Sequence, residues 1–408
     1  MKHLGILFLL IPFVLNALNI QAFVTKFVSV SIGQAIAYLN VALLLIGIGF
    51  FIKQKRSFPP LIKLWVWFFG CYYVFGLIAN AIHQTPAPII KTLIPVIYFF
   101  SFAVFLNMDN YRAFFQKVMA ITFFIACCLL IVMQRYNFSL DHDGIYAYTL
   151  DRAGGVYGDA NNAAVVCLLS FIFIYKIFNP KKRILRLLKL IGLGIAAYAL
   201  FLTFSKTGFV VLFVVIGFLF YKLFNLKRIL LIVIIVPVLL YTGITTALNS
   251  ESLTPVQKSR IENIVNLLSF NTEKVEFSDR DILFNNMISF IYENPFIGNG
   301  INFSTMIRGH NTIFGVWADA GIITFLLFLF LLFQHFRKAI VAPPETRFFL
   351  LPVIFVLCIF MLSLQSIINQ GYLMALFAYI AYGLESRYKS DVKVYKHPSY
   401  EKNIKTVY

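Results

Sequence analysis

Apolar stretches long enough to cross a lipid bilayer recur along almost the whole chain. A spanning α-helix needs about 20 mostly apolar residues, and about twelve runs come near that length. The pattern therefore predicts an all-α, polytopic membrane protein with about twelve transmembrane helices. The predicted spans are 4–23, 34–52, 62–82, 89–107, 116–133, 162–179, 187–204, 207–225, 229–247, 312–336, 347–366 and 371–386.

Polar residues interrupt this pattern most strongly at 134–161 and at 248–311. The second interruption separates the ninth predicted helix from the tenth. It is small and poor in apolar residues, so we expect it to be a loop of the bundle and not an independent domain. The sequence thus predicts one helical bundle over 1–386, with this loop included, and a basic tail over 387–408.

Part of the long loop is amphipathic. Between Ile282 and Tyr292 the apolar residues recur at helical spacing, which is typical of a helix lying at a membrane surface. The following Asn294-Pro295 pair is expected to end that helix. Gly298 and Gly300 then predict a turn.

The composition supports a membrane protein. Of the 408 residues, 60% are hydrophobic and only 13% are charged, whereas a soluble domain has about 25% charged residues. With the N-terminus in the cytoplasm, 25 of the 35 Lys and Arg residues fall on the cytoplasmic side. The positive-inside rule therefore favours cytoplasmic termini and puts 134–161, 205–206 and 248–311 on the outer side.

The net charge of +18 needs no nucleic-acid partner, because basic residues collect in cytoplasmic loops of membrane proteins. The basic tail after Leu384 is explained in the same way, as a solvated determinant of topology that touches anionic lipid. We therefore expect membrane lipids, and no nucleic acid, among the partners.

The sequence offers little for a metal or a cofactor. The five cysteines lie inside apolar stretches and are expected to be small core residues. Asp141, His142 and Asp143 could hold a divalent ion, but two or three ligands in one loop are weak evidence, and we expect a solvated loop. No Walker motif, dinucleotide fingerprint or zinc pattern is present, so we predict neither metal nor cofactor.

Four cations stand on the outer side against the charge bias, each beside Gly, Asn or Ser. They are Arg152, Lys206, Arg280 and Arg308. Such residues can be interfacial side chains that reach into the head groups. As a set on one face they are read more naturally as an anion site, since Arg grips a diphosphate bidentately and Lys acts as a point charge.

His310 is the strongest candidate for proton transfer. It precedes Asn311, which can cap the tenth predicted helix, and it follows Arg308. Both the positive helix end and the cation disfavour imidazolium, so a neutral imidazole could act as a general base; a merely hydrogen-bonded interfacial His is the alternative. Asp319, inside an apolar span, could pair with one of the arginines or with His310, in a structural or a catalytic role.

Four segments resemble the O-antigen ligase / O-antigen polymerase superfamily of bacterial membrane glycan transferases. They are Arg152–Asn161, Thr203–Gly208, Arg280–Gly300 with its Asn-Pro-Phe-Ile-Gly-Asn-Gly end, and His310-Asn311 followed by Gly321. Two positions depart from the family pattern: Lys206 replaces an Arg and Thr324 replaces a Gly.

The resemblance implies a metal-independent, inverting glycosyltransferase in the bacterial inner membrane. It would move a glycan from undecaprenyl diphosphate to an acceptor sugar hydroxyl at the periplasmic face, in lipopolysaccharide or surface polysaccharide biosynthesis. His310 would be catalytic. The diphosphate would be bound by Arg152, Lys206, Arg280 and Arg308, with support from Asn161, Asn311 and Asp319.

Several readings remain open on the sequence. The acceptor distinguishes a ligase from a repeat-unit polymerase, and the motifs do not separate the two. A solute transporter would instead show broken helices or ionisable residues at mid-membrane. A flippase for lipid-linked oligosaccharides would need a charged central cavity, of which the sequence shows little sign.

Overall fold

The computed structural model describes residues 2–52, 57–140, 144–145, 150–221, 242, 245–246, 248–249, 253–268, 280–365 and 367–385. The described part is almost entirely helical. Two short strands, β1 (Phe138–Ser139) and β2 (Gly144–Ile145), pair antiparallel in the segment that follows the sixth helix. The helices are α1 Lys2–Ala17, α2 Ile20–Phe27, α3 Val30–Gly49, α4 Pro60–His83, α5 Ile89–Phe105, α6 Asp109–Arg135, α7 Ala160–Ile177, α8 Arg183–Leu202, α9 Lys206–Leu219, α10 Pro255–Leu268, α11 Arg280–Glu293, α12 Phe303–Met306, α13 Thr312–Val341, α14 Pro344–Met361 and α15 Gly371–Glu385.

Seven helices of the described part are long and apolar enough to cross a membrane, or eight if α1 and α2 count as one bent span. The helices α5 and α9 are apolar but shorter. The fold class, an all-α polytopic membrane protein, is confirmed. The number twelve stays a prediction, as does the division into bundle and tail, since 222–241 and 386–408 lie outside the described residues.

Side-chain links at one end of the bundle join the end of the first predicted span to the segment 134–161, which the sequence places on the outer side. The Asn19 amide donates to the Val156 carbonyl at 2.8 Å, and the Tyr157 hydroxyl donates to the Ala17 carbonyl at 2.6 Å. The predicted alternation of the spans brings these residues to the same face. Their position outside the cell membrane stays a prediction.

The opposite end is linked in the same manner. Glu385 accepts from the Leu61 amide at 3.1 Å and forms an ion pair with Lys338. The Arg112 guanidinium lies over the Tyr382 ring, 4.7 Å from its centroid. Leu61, Arg112 and Lys338 lie in predicted cytoplasmic connections, and Tyr382 and Glu385 lie at the predicted cytoplasmic end of the span 371–386. The order of the spans is therefore consistent at both ends.

The first predicted span, 4–23, is wrong as a single straight helix. The chain bends by 61° between α1 and α2. Asn19 adopts a left-handed conformation there, with φ 52°, which interrupts the helix, and its side chain is held by Val156. The bend is stabilised by a residue 137 positions away, so the local pattern could not reveal it.

The tenth predicted span, α13, is broken at Ala320 and Gly321, where φ is −134° and 76°. At the break, some backbone groups lose their hydrogen bonds within the helix, and the preceding loop forms hydrogen bonds with them. The Asn299 amide donates to the Ala318 carbonyl at 2.8 Å, and the Ile322 amide donates to the Pro295 carbonyl at 2.9 Å. Buried backbone groups must be paired, so the loop at 294–300 and the break in α13 form one unit.

Glycines make this close approach possible. A Cβ on Gly298 would lie 2.6 Å from the Asp319 carbonyl oxygen, and one on Gly321 would lie 2.0 Å from the Phe296 carbonyl oxygen. Gly298 and Gly300 have φ values of 86° and 119°, which L side chains rarely adopt. The predicted turn at these two glycines is confirmed.

The predicted amphipathic helix is confirmed as α11, and it ends at Glu293, directly before Asn294-Pro295. Its apolar face packs on the part of α13 that precedes the break. Met287 and Ile291 are buried there together with Ala318. This face therefore covers α13, whereas the sequence led us to expect it to lie on a membrane surface.

The helix α7 is the centre of the bundle. Of its most apolar 18-residue window, 78% is buried, more than in any other candidate span of the described part. It packs against α6, α8, α9 and α14. Asn161, its second residue, contacts Arg152, so α7 provides a rigid base for the candidate site.

Candidate functional site

Arg152 is held in one orientation at the end of the bundle where α7 begins. Its Nε donates to the Thr203 carbonyl at 3.1 Å, and its Nη2 donates to the Asn161 side-chain oxygen at 3.2 Å. The Ser205 hydroxyl donates to the same oxygen at 2.8 Å. Asn161 and Ser205 are buried, and Arg152 is half-buried. We call Arg152, Asn161, Thr203 and Ser205 the Arg152 cluster.

Two helices begin at the Arg152 cluster. The Asp159 carboxylate caps α7 by accepting from the amides of Asn161 and Asn162 at 2.9 and 2.8 Å. The Ser205 hydroxyl caps α9 by accepting from the Gly208 amide at 3.1 Å. The N-terminus of a helix carries a partial positive charge and favours anions. The Asp159 carboxylate offsets part of this field, and Arg152 and Lys206, the first residue of α9, add to it.

The helix α10, in the long loop, is hydrogen-bonded to the residues directly before Arg152. Thr254 and Gln257 form a capping box at the start of α10: the Gln257 amide donates to the Thr254 hydroxyl at 3.2 Å and the Thr254 amide to the Gln257 side chain at 3.0 Å. Gln257 also donates to the carbonyls of Leu150 and Asp151, at 3.2 Å each. Sequence reasoning missed this contact, although the Thr-Pro-Val-Gln pattern is a recognisable helix start.

The His310 segment has a constrained backbone. Arg308 and His310 have φ values of 54° and 48°, so the chain turns sharply just before α13. The His310 amide donates to the Gln365 side chain at 3.2 Å. The Asn311 side chain accepts from the Phe314 amide at 3.0 Å, which confirms the predicted cap. Arg308 is exposed and His310 is half-buried.

Asp319 is only 5% exposed, and its carboxylate oxygens are bonded to neutral donors. One accepts from the Tyr72 hydroxyl at 2.7 Å, and the other from the Ser304 amide at 2.6 Å. The Tyr72 hydroxyl in turn accepts from the Asn302 amide at 3.2 Å. The expectation that Asp319 pairs with an arginine or His310 is wrong, because α4 places Tyr72 against this carboxylate. Asp319 instead fixes the turn at 302–304 that leads to His310.

The loop between α14 and α15 connects the two halves of the site. The side-chain amide of Gln370 donates to the side-chain oxygen of Asn162 at 2.8 Å, next to the Arg152 cluster. Gln365 accepts from the His310 amide and donates to the Ser304 carbonyl. One short polar segment thus touches both the start of α7 and the His310 turn. Sequence reasoning missed Gln365 and Gln370, although they are polar residues between two apolar runs.

The predicted site residues thus fall into two groups at the same end of the bundle. Arg152 and Asn161 are in direct contact, with Lys206 adjacent to their cluster; Arg308, His310, Asn311 and Asp319 form or support the second group. Arg280 begins α11, but its side chain lies outside the described residues. That these residues bind one ligand together stays a prediction.

The metal hypothesis is not tested by the described residues. Within them, no group of three or more His, Cys, Asp or Glu side chains could hold a metal ion. Asp141, His142 and Asp143, the only metal candidates that the sequence suggested, lie outside the described part.

Residues 191–329 match a protein-family model described as O-antigen ligase. The matched part contains Lys206, Arg280, Arg308, His310 and Asp319 and begins after Arg152. No curated protein matches the chain. Over these residues, about a third of the chain, the match supports the superfamily that the four sequence segments indicated.

Proposed function

We propose that this chain, whose residues 191–329 match the O-antigen ligase family model, transfers a glycan from undecaprenyl diphosphate to a sugar hydroxyl of an acceptor at the periplasmic face of the inner membrane. One observation carries the proposal. Arg152 is fixed beside the N-termini of two helices, at the same end of the bundle as His310, and one polar loop touches both regions.

The chemistry follows from the leaving group. The acceptor oxygen attacks the anomeric carbon, its proton passes to the imidazole of His310, and the bond to the diphosphate breaks with its electron pair. The negative charge that develops on the diphosphate is stabilised by fixed cations and helix ends. Arg152, Lys206, Arg280 and Arg308 supply that charge in this proposal, without a metal. Attack opposite the leaving group inverts the anomeric centre.

The polar residues around the two groups act as supports. Asn161 and the Thr203 carbonyl fix the plane of the Arg152 guanidinium. Asp319 fixes the turn before His310, and Asn311 fixes the start of α13. Catalysis by preorganised charge depends on such fixation, because the donors then need no reorganisation during the reaction.

The break in α13 does not favour a transporter. In transporters, broken helices expose their backbone groups to the substrate near mid-membrane. Here the loop at 294–300 occupies those groups. The part of α13 after Gly321 is about 30 Å long and can cross the hydrocarbon core alone, so the break lies near one membrane face.

Transfer activity of the full-length protein in membranes, with a lipid-diphosphate-linked glycan donor, tests the proposal. We expect His310→Ala to abolish transfer with normal expression and insertion, and Arg152→Ala to lower it by orders of magnitude, with Arg152→Lys rescuing only part. Lys91→Ala, an exposed cation at the outer end of α5, is the matched control. Full activity in His310→Ala would remove that residue from the mechanism.

Two further measurements define the reaction. A chelator should leave the transfer rate unchanged. Strong inhibition would instead support the alternative of a divalent-ion site at Asp141 and Asp143. In a deletion strain, loss of all polymer transfer from the carrier lipid indicates a ligase, whereas single repeats on the acceptor indicate a polymerase. The ligase is the reading that the matched family description favours.

A further inference from the structure

A second feature lies at the other end of the bundle. Helices α6, α7 and α8 border an open apolar groove with a volume of about 410 Å³. That volume is within the range of pockets that hold small organic ligands. We call it the α6–α8 groove; its wall includes Ile121, Phe124, Phe173, Ile177, Leu188 and Gly192.

The α6–α8 groove opens sideways and not into the bundle. Ile121 of α6 and Leu188 of α8 line it and are 60% and 52% exposed. Each belongs to a helix that is a candidate membrane span. A laterally open apolar groove between spanning helices faces hydrocarbon, so its natural occupant is a lipid chain.

The groove is remote from the candidate glycan site. It is lined by Ile177, the last residue of α7, whereas the Arg152 cluster lies at the first residues of that helix. With 18 residues, α7 separates the two by about 25 Å. The groove therefore borders the opposite membrane leaflet.

Lys117 is the one charged residue among the described residues that line the groove, and Asp109, about two turns earlier on α6, is paired with Arg112. No hydrogen bond or ion pair joins Lys117 to any residue that the structure describes. The segments 110–140 and 160–202 contain no Asp or Glu. The basic residues at this end of α7 and α8 are Lys176, Lys181, Lys182, Arg183, Arg186 and Lys189.

Lys189 shows how this end of the bundle is stabilised. Its ammonium donates to the Tyr175 carbonyl and to the Asn179 side chain, at 2.6 Å each, and lies 4.6 Å from the centroid of the Tyr175 ring. Lys189 is thus engaged in closing the C-terminal end of α7. Lys117, on the neighbouring helix, is the cation directed at the groove itself.

We infer that the α6–α8 groove is a binding site for an anionic phospholipid, with an acyl chain along its apolar wall and the phosphate beside Lys117. The surplus of cations selects an anionic head group over a zwitterionic one, since each basic residue near a membrane surface attracts anionic lipid. The diphosphate-linked donor of the proposed reaction is a less suitable occupant, because its head group would be on the other side of the membrane. The inference does not depend on glycan transfer.

Native mass spectrometry of the full-length protein, released from membranes with equal phosphatidylglycerol and phosphatidylethanolamine, tests this site. The wild type should retain phosphatidylglycerol preferentially. Lys117→Gln should lower that retention about fivefold, the effect of one basic residue near the surface, whereas Lys91→Gln should not change it. Lys117 is exposed, so its replacement leaves the core intact.

A second pair of variants tests the groove itself. A Cβ on Gly192 would meet Ile174 at an ordinary 3.6 Å, so Gly192→Leu fits the backbone and fills the groove, whereas Gly194 on the same helix faces open space. Gly192→Leu should lose the lipid, and Gly194→Leu should keep it. Equal retention of both lipids by the wild type, or retention unchanged in Lys117→Gln and Gly192→Leu, would overturn the inference. If the lipid that Lys117→Gln and Gly192→Leu fail to retain is the isoprenoid-linked donor and not phosphatidylglycerol, the groove belongs to the donor. That result would also overturn the inference.

Discussion

Replacing Asn161 with alanine separates the orientation of Arg152 from its charge. The Asn161 side-chain oxygen accepts from the Arg152 Nη2 at 3.2 Å, and Asn161 is 3% exposed, so water does not substitute freely for the lost acceptor. The guanidinium keeps its bond to the Thr203 carbonyl but loses the contact that fixes its plane. The replacement therefore keeps the positive charge of Arg152 but no longer fixes the orientation of its guanidinium plane.

The size of the effect follows from this single bond. A hydrogen bond to a charged group contributes about 1.5–3 kcal/mol, and each 1.36 kcal/mol of transition-state stabilisation changes the rate tenfold. If the oriented guanidinium stabilises the departing diphosphate, Asn161→Ala should lower kcat/KM for the donor by about 10- to 150-fold. In a chain that already carries Arg152→Ala, the same replacement should have a much smaller effect on kcat/KM. What remains comes from the Ser205 hydroxyl, which also loses its acceptor.

The assay is a double-mutant cycle on kcat/KM with the lipid-linked donor. Ser170→Ala serves as the matched control, since Ser170 is a small, fully buried polar residue of the same helix whose hydroxyl has no partner among the described residues. It should leave kcat/KM unchanged. Equal losses from Asn161→Ala in the wild-type and Arg152→Ala backgrounds would refute the argument, because they would show that Asn161 acts independently of Arg152.

Three other replacements probe the support of the site. Gly321→Ala should lower the free energy of unfolding by about 1–3 kcal/mol, since φ 76° and ψ 177° are essentially restricted to glycine; a melting temperature in detergent equal to that of the control Gly194→Ala would contradict this. Gln365→Ala removes the acceptor of the His310 amide and should lower kcat more than it raises KM for the donor; an unchanged kcat would exclude a positioning role. Asp319→Ala leaves two buried donors without their acceptor and should destabilise the protein by about 2–5 kcal/mol, measured by thermal unfolding; a neutral result would show that the carboxylate is not needed.

The sequence predicts features that depend on near neighbours. Asn311 caps α13 because its side chain reaches an amide three residues on, and the end of α11 at Glu293 follows from the Asn-Pro pair after it. The turn glycines Gly298 and Gly300 are of the same kind. The apolar runs likewise identify the membrane helices, because length and hydropathy are local properties.

Features that depend on distant residues could not be predicted in this way. Asp319 accepts from Tyr72, 247 positions away, and the pattern of one helix does not contain that partner. The His310 turn depends on Gln365, 55 positions on. Arg152 and Asn161 were both selected from one segment, but the Thr203 carbonyl that completes their geometry comes from the next helical hairpin.

The break in α13 has a consequence for assembly of the protein. In hydrocarbon, released backbone groups are too costly to leave unpaired, so an inserted segment 312–341 without its neighbours should remain one continuous helix. The break then forms only when the loop at 294–300 arrives to bond the Ala318 and Asp319 carbonyls. A late folding step would thus convert a continuous transmembrane helix into the broken helix that carries Asp319. The His310 end of the bundle would therefore reach its final structure only after the helix has inserted into the membrane.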